Sequence, residues 1–258
     1  MSVSRETVPV QVTLRGEVGG GEGEYAREKV EQALAAVRAS VLHAHVVLDR
    51  RRDPALAHPA RAEATVDVGG TTVRVHAFAP NMTEAADELE TRLRRRLVQL
   101  EDRTRTRHRW TGVAAEHEWR HGDLPRRPVP YFPRPEESRE VVRHKSLAPA
   151  PMTVDEAAFE MDLLDHDFYL FTDLDSGQPA LVHRLADGGY GVQGAAGAEA
   201  VASVTQEPPP PALTDSEART RLEADGEPFV FYVDADSAQG RVLYRRYDGH
   251  YGLIAADG

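Results

Sequence analysis

The sequence contains no cysteine, and only Lys29 and Lys145 among its 31 basic residues are lysine. The first absence excludes disulfides, thiolate catalysis and cysteine-ligated zinc, and fits a cytoplasmic protein. The second leaves arginine as nearly the whole supply of positive charge, a bias expected of GC-rich coding. No apolar run approaches the roughly 18 residues that a membrane span needs, so no membrane partner is expected. The opening Met1-Ser-Val-Ser-Arg-Glu-Thr has no apolar stretch of the kind that marks a secretion signal. No Ser/His/Asp grouping with supporting local signatures is present. The expectation is therefore a protein without catalysis, cofactor or metal.

What is present is first of all a self-similarity, without a gap, at an offset of 61 positions. Thr153, Glu156-Ala157 and Phe168 match Thr214, Glu217-Ala218 and Phe229. Asp173, Asp175, Ser176 and Arg184 match Asp234, Asp236, Ser237 and Arg245. Asp187-Gly188-x-Tyr190-Gly191 matches Asp248-Gly249-x-Tyr251-Gly252. Two copies of one small module, residues 151–194 and 212–258, thus follow a different N-terminal part, residues 1–111. Residues 112–150 and 195–211 are rich in proline and read as linkers, the first as an extended, solvated tether.

Charge divides along the same boundaries. The whole chain carries a net −11, but residues 151–258 alone hold six arginines against 20 carboxylates, a net of −14. Residues 92–109 hold eight arginines against Glu101 and Asp102. An acidic rear behind a local arginine cluster suits docking of one end on a polyanion rather than indiscriminate coating.

The N-terminal part reads β-α-β-β-β-α, an α+β layer with two helices on one sheet. Alternation predicts strands over residues 8–15, 41–49, 62–68 and 71–78, the last two joined by Gly69-Gly70. Glycines 19–23 read as a loop before a helix at 24–38. Asn81, with Glu84 three residues on, predicts a capped helix whose stripe is Met82, Ala85, Ala86, Leu89, Leu93, Leu97 and Leu100. Each module reads as a capped helix, a strand, a turn and a hairpin. The fold class is α+β, an N-terminal β-α-β-β-β-α domain followed by two small β-rich modules. Modules of about 45 residues bury too little surface alone. Pairing between the copies is therefore expected, through Phe168, Phe171, Val182, Tyr190, Phe229, Phe231, Val242, Tyr244 and Tyr251.

Arg92, Arg95, Arg96 and Arg103 fall on one face of the second helix, and Arg105, Arg107 and Arg109 carry the charge onward to Trp110. Planar guanidinium forks suit phosphate, and an indole suits stacking on a base. Arg27 and Lys29 on the first helix are interleaved with Glu24, Glu28 and Glu31. A solvated face balanced by Glu88, Glu90, Glu101 and Asp102 is the plainer reading of the same residues. His117-Glu118-Trp119-Arg120-His121 fits the zinc-protease spacing literally. Gly122 and Pro125, however, end any helix there, and no third ligand follows. Glycines 19–23 lack dinucleotide-binding spacing, and Asp173-x-Asp175-x-Gly177 lacks the remaining calcium ligands, so both read as turns.

Pro151-Met152-Thr153-x-x-Glu156-Ala157 with His166-Asp167-Phe168-Tyr169-x-Phe171, and Val242-Leu243-Tyr244-Arg245-Arg246-Tyr247-Asp248-Gly249-His250-Tyr251-Gly252, resemble the C-terminal domain of long-form ribosome hibernation promoting factors, the S30AE family. Asn81-Met82-x-x-Ala85-Ala86 and the N-terminal element order resemble the family's ribosome-binding domain. The doubled C-terminal domain is similar to mycobacterial ribosome-associated factors linked to hypoxic dormancy. The resemblance implies a translation inhibitor acting under stress, bound to the 30S subunit and its 16S rRNA where mRNA and tRNA pass. In the family a single C-terminal domain self-associates and joins two ribosomes. Two copies in one chain imply intramolecular pairing and hibernating 70S particles instead of dimers. Another RNA-binding stress regulator on the same scaffold is the alternative.

Overall fold

The structure is a computed structural model, and it describes residues 8–52, 57–109, 134–196, 204–246 and 248–256. It divides into two compact units, residues 1–116 with 162–166, and residues 117–161 with 167–258.

In the first unit, β1 (Gln11–Gly16), α1 (Gly20–Ala35), β2 (Val41–Arg50), β3 (Ala60–Val68), β4 (Thr71–Ala79) and α2 (Met82–Arg109) follow the order read from the sequence. The sheet runs β1-β2-β3-β4, with β1 parallel to β2 and the rest antiparallel. Strict alternation puts Ala44, Val46, Leu48, Ala62, Ala64, Val66, Val73, Val75 and Ala77 on the buried face. These residues are mostly small, which lets both helices lie close, with Ala26, Val30, Ala33, Leu89, Leu93 and Leu97 completing the core. Gly69 and Gly70, both at positive φ, make the β3–β4 turn. Asn81 Oδ1 accepts the Glu84 N–H at 2.9 Å, while Glu84 returns to the Asn81 side-chain amide at 2.6 Å.

One expectation fails here. The glycines at 20–23 are helical, not a loop: Gly19 is the N-cap, and the Glu22 carboxylate accepts its N–H at 2.9 Å. Gly23 faces the sheet, where a Cβ would lie 3.1 Å from the Leu14 side chain. The close approach of α1 to β1 therefore outweighs glycine's poor helix propensity.

The second unit holds a 3-10 turn (Glu136–Ser138), β5 (Val141–Leu147), β6 (Pro151–Met152), α3 (Val154–Leu163) as far as Met161, β7 (Phe168–Asp173), β8 (Pro179–Arg184) and β9 (Tyr190–Gln193). β10 (Val204–Gln206), β11 (Ala212–Leu213), α4 (Asp215–Asp225), β12 (Phe229–Asp234), β13 (Gly240–Arg245) and β14 (Tyr251–Ala256) complete it. Thr214 caps α4 through the Glu217 N–H at 3.3 Å, and Thr153 serves Glu156 likewise at 3.3 Å. Asp173 and Asp234 are spent on their own turns, accepting the Ser176 and Ser237 N–H groups at 3.0 Å.

Both five-stranded sheets contain a strand lent by the other copy. One sheet is ordered β10-β9-β8-β7-β6, the other β11-β12-β13-β14-β5. β5 precedes the first copy but pairs, parallel, with β14 of the second. β10 precedes the second copy but pairs, parallel, with β9 of the first. The stretches read as linkers are therefore partly sheet, and the tether reading fails for residues 141–147 and 204–206. Neither strand alternates apolar with polar residues, because each lies at a sheet edge and is mostly exposed. Among the described residues no helix is long and apolar enough to cross a membrane.

Candidate nucleic-acid interface and module seam

Helix α2 is held against α1 at its first turns by Asp87, which accepts the Tyr25 hydroxyl at 2.8 Å and meets Lys29 Nζ at 2.7 Å. Hydrogen bonding to Asp87, then to Tyr25, raises the Lys29 pKa, and the same Lys29 contact holds the Asp87 carboxyl low. Lys29 is thus committed to joining the helices. Arg27 lies against Glu24 at 3.1 Å.

The α2 arginines occupy different surroundings. Arg92 reaches Glu88 at 2.7 Å and the His76 carbonyl at 3.1 Å. Arg95 and Arg103 are half-buried on the helix. Arg94, absent from the face read in the sequence, is the more open one: its side chain is 52% exposed and meets Glu90 at 2.8 Å. Such exposed i, i+4 pairs hold by well under about 1 kcal/mol, so a phosphate can take over the guanidinium at little cost.

Arg96 is a correction. It is 3% exposed, bonded to Gln99 at 3.0 Å, and lies 3.5 Å from Asp162 and 3.9 Å from Asp165 within the first unit. Asp165 also accepts the His76 N–H at 2.9 Å. A guanidinium so enclosed is not presented to a ligand. Its position follows from spacing: Arg96 stands three residues after Leu93 and four before Leu100, inside the apolar stripe. The side chains of Arg105, Arg107 and Arg109, together with Trp110, His117 and His121, lie outside the described residues.

The two modules meet through one face of each sheet. Leu170, Leu181, Phe231, Val242 and Ala256 form a single buried cluster, flanked by Leu147, Phe168, Phe229 and Ile254. Phe168 lies 5.0 Å from Phe229 and 5.6 Å from Tyr244, and His183 lies 5.2 Å from Phe229, ring centre to ring centre. Phe168 and Phe229, Leu170 and Phe231, Leu181 and Val242, and His183 and Tyr244 are all pairs at the 61-residue offset. The seam is therefore built from equivalent positions, with a local twofold character. Of the residues expected to pair the copies, Phe168, Phe229, Phe231, Val242 and Tyr244 line this seam.

Phe171, Val182, Tyr190 and Tyr251 are not at the seam. The first three pack under α3 with Ala157 and Met161. Tyr251 packs under α4 with Ala218 and Leu222. Their strands are apolar on both faces, so periodicity alone does not tell which residue faces which way. Leu170, Leu181 and Ile254 were missed for the same reason.

Each borrowed strand is pinned by a carboxylate. Glu223 on α4 accepts the Tyr251 hydroxyl and the Arg139 guanidinium just ahead of β5, with Arg245 at 3.3 Å. Burial pushes the Glu223 carboxyl up, but the Tyr251 and Arg139 hydrogen bonds outweigh it and leave the pKa lowered. The Tyr251 N–H donates to the Glu140 carbonyl at 3.0 Å. Glu207, just past β10, meets His183 at 3.0 Å and Gln193 at 2.7 Å.

Comparison with known proteins agrees with this division. The family model for the Sigma 54 modulation protein / S30EA ribosomal protein matches residues 10–105. The model for the C terminus of the same proteins matches twice, at residues 136–192 and 203–253, each match starting ahead of a borrowed strand. A dormancy associated translation inhibitor of Mycobacterium tuberculosis is 29% identical over 213 residues, 78% of this chain and 72% of the relative. A ribosome hibernation promotion factor of Picosynechococcus is 29% identical over 178 residues, 66% of this chain and 87% of the relative. One from Lactococcus lactis is 32% identical over 136 residues, 52% of this chain and 70% of the relative.

Proposed function

The chain belongs to the Sigma 54 modulation/S30EA ribosomal protein family, and from that premise we propose that it is a ribosome hibernation factor that inhibits translation by occupancy. The N-terminal unit binds the small subunit along the path of mRNA and tRNA, through 16S rRNA, and does no chemistry there. Ribosomal RNA offers phosphates and shape, which suits guanidinium groups fixed on a rigid helix. Arg92, Arg94 and Arg95 are the groups on α2 placed for that role, with Arg103 and the more distal Arg105, Arg107 and Arg109 continuing it. The protein works in the cytoplasm, where ribosomes are, under the stress that the names of its relatives call dormancy.

The two C-terminal modules give this member its own outcome. Their seam closes within one chain, and each sheet is completed by the strand ahead of the other copy. That crossed pairing is the observation that carries the reading. Among the described residues the apolar seam face of each module is covered by the other within the same chain, which supports a protein that holds single 70S ribosomes and does not join two.

Sedimentation through sucrose gradients tests both halves. Purified protein should travel with 70S particles at low salt and leave the 100S region empty. Charge reversal of Arg92, Arg94 and Arg95 to glutamate should release it, and added salt should weaken binding in proportion to the phosphates neutralised. Full binding by the triple variant would refute the α2 face. A dominant 100S peak would refute the closed pair. Failure to join 30S or 70S particles at all would point to a different RNA target.

A further inference from the structure

We propose that strand β5 is a second ribosome-docking surface, on which Arg143 and Lys145 grip the phosphate backbone of exposed RNA; this rests on the ribosome-binding reading above. β5 ends its sheet, beyond β14. Residues 142–146 are all exposed, a run of five on a strand whose ends, Val141 and Leu147, tuck into the unit. Arg143 is in register with Gly252 and Lys145 with Ile254, so both cations leave the same side of the sheet, with His144 on the other. Two residues apart on a strand is about 6.7 Å, a span similar to that between neighbouring phosphates of an extended nucleic-acid strand.

Charge selects the partner. Residues 151–258 hold 20 carboxylates against six arginines, and their field repels a polyanion over most of the unit. β5 is drawn from outside that acidic stretch, and it brings cations to one edge of it. The surface therefore admits RNA in a single orientation, edge first. A protein strand added to the same edge would find only Val142, 49% exposed, as an apolar foothold, and two cations in its way. A phosphate backbone turns those two cations from an obstacle into the contact.

The test is the full-length Arg143→Gln/Lys145→Gln variant, which removes two exposed charges and no buried group, with binding to purified 70S ribosomes followed across a salt series. Loss of two phosphate contacts should make the log–log salt dependence shallower by about 1.4, at roughly 0.7 per single-stranded contact. Raising salt from about 50 to about 200 mM should then cost the variant roughly 7-fold less affinity than it costs the parent. An unchanged slope overturns the proposal while leaving the α2 reading intact. So does an unchanged slope with new self-association of the variant, which would make the two charges guards against strand pairing and nothing more. If the parent protein itself ignores ribosomes, the proposal falls with the function it rests on.

Discussion

Replacing Phe231 and Val242 together by aspartate should convert a monomer into a dimer. Four large side chains, Leu170, Leu181, Phe231 and Val242, are buried in the seam. At roughly 1.5–3 kcal/mol each, they contribute about 6–12 kcal/mol before the costs of association. Within one chain the modules face each other at an effective concentration near the millimolar range. The seam then needs only about 4 kcal/mol of net affinity to stay shut. Two carboxylates in that dry face cost several kcal/mol apiece, enough to open it. Module 2 keeps its own core, because Leu222, Tyr232, Leu243 and Tyr251 lie on the opposite face of the sheet. Module 1 is left with Phe168, Leu170 and Leu181 uncovered, and the twofold character of the seam makes that face complementary to its own copy. Sedimentation velocity over about 1 to about 100 µM should show the parent as a monomer and the variant associating with micromolar affinity. Bound ribosomes should shift toward 100S. A variant that stays monomeric throughout, while its NMR spectrum shows module 2 folded, would refute the idea that the seam is what withholds these faces.

Two further outcomes follow from the pins on the borrowed strands. The Glu223 carboxyl has a lowered pKa, so it binds a proton less readily folded than unfolded. Its stabilising contribution is complete above the ordinary glutamate pKa of about 4.3 and fades as pH falls through the folded value. Urea midpoints measured from pH 7 down to about 3 should therefore drop less steeply for Glu223→Gln than for the parent, and parallel curves would disprove the linkage. Gly252→Ala would place a Cβ 2.3 Å from the Tyr244 ring, and Gly191→Ala would place one 2.3 Å from the His183 ring. Each should cost about 1–3 kcal/mol in denaturant unfolding; a cost below about 0.5 kcal/mol would show that the neighbouring ring simply moves aside.

Much of the N-terminal unit was legible in the residues because its sheet is buried on one face only. Strict alternation in β3 and β4 marked the strands, and a leucine stripe with an asparagine cap marked α2. The start of α1 was hidden by glycines that a helix ordinarily avoids and that here serve the contact of Gly23 with Leu14. Arg96 shared spacing with Arg92, but it shared spacing with Leu93 and Leu100 as well, and charge type alone did not decide between the two faces. In the modules the repeat marked equivalent positions but not which side of the sheet they face, since Phe171 and Leu170 are equally apolar neighbours on a strand covered on both faces. β5 and β10 gave no signal at all. Their pairing is fixed by distant partners, Tyr251 to Ala256 for one and Tyr190 to Val192 for the other.

The crossing of strands also sets a timetable for the chain's own synthesis. Glu140 bonds to His250, 110 positions further on, and β5 begins beside it. At about 5–20 residues per second, β5 emerges and waits several seconds, at the least, before β14 exists to receive it. For that interval it is a bare strand beside a crowded neighbour, the circumstance in which nascent chains stick together. The arginine, histidine and lysine at its centre keep it in water until its place has been made.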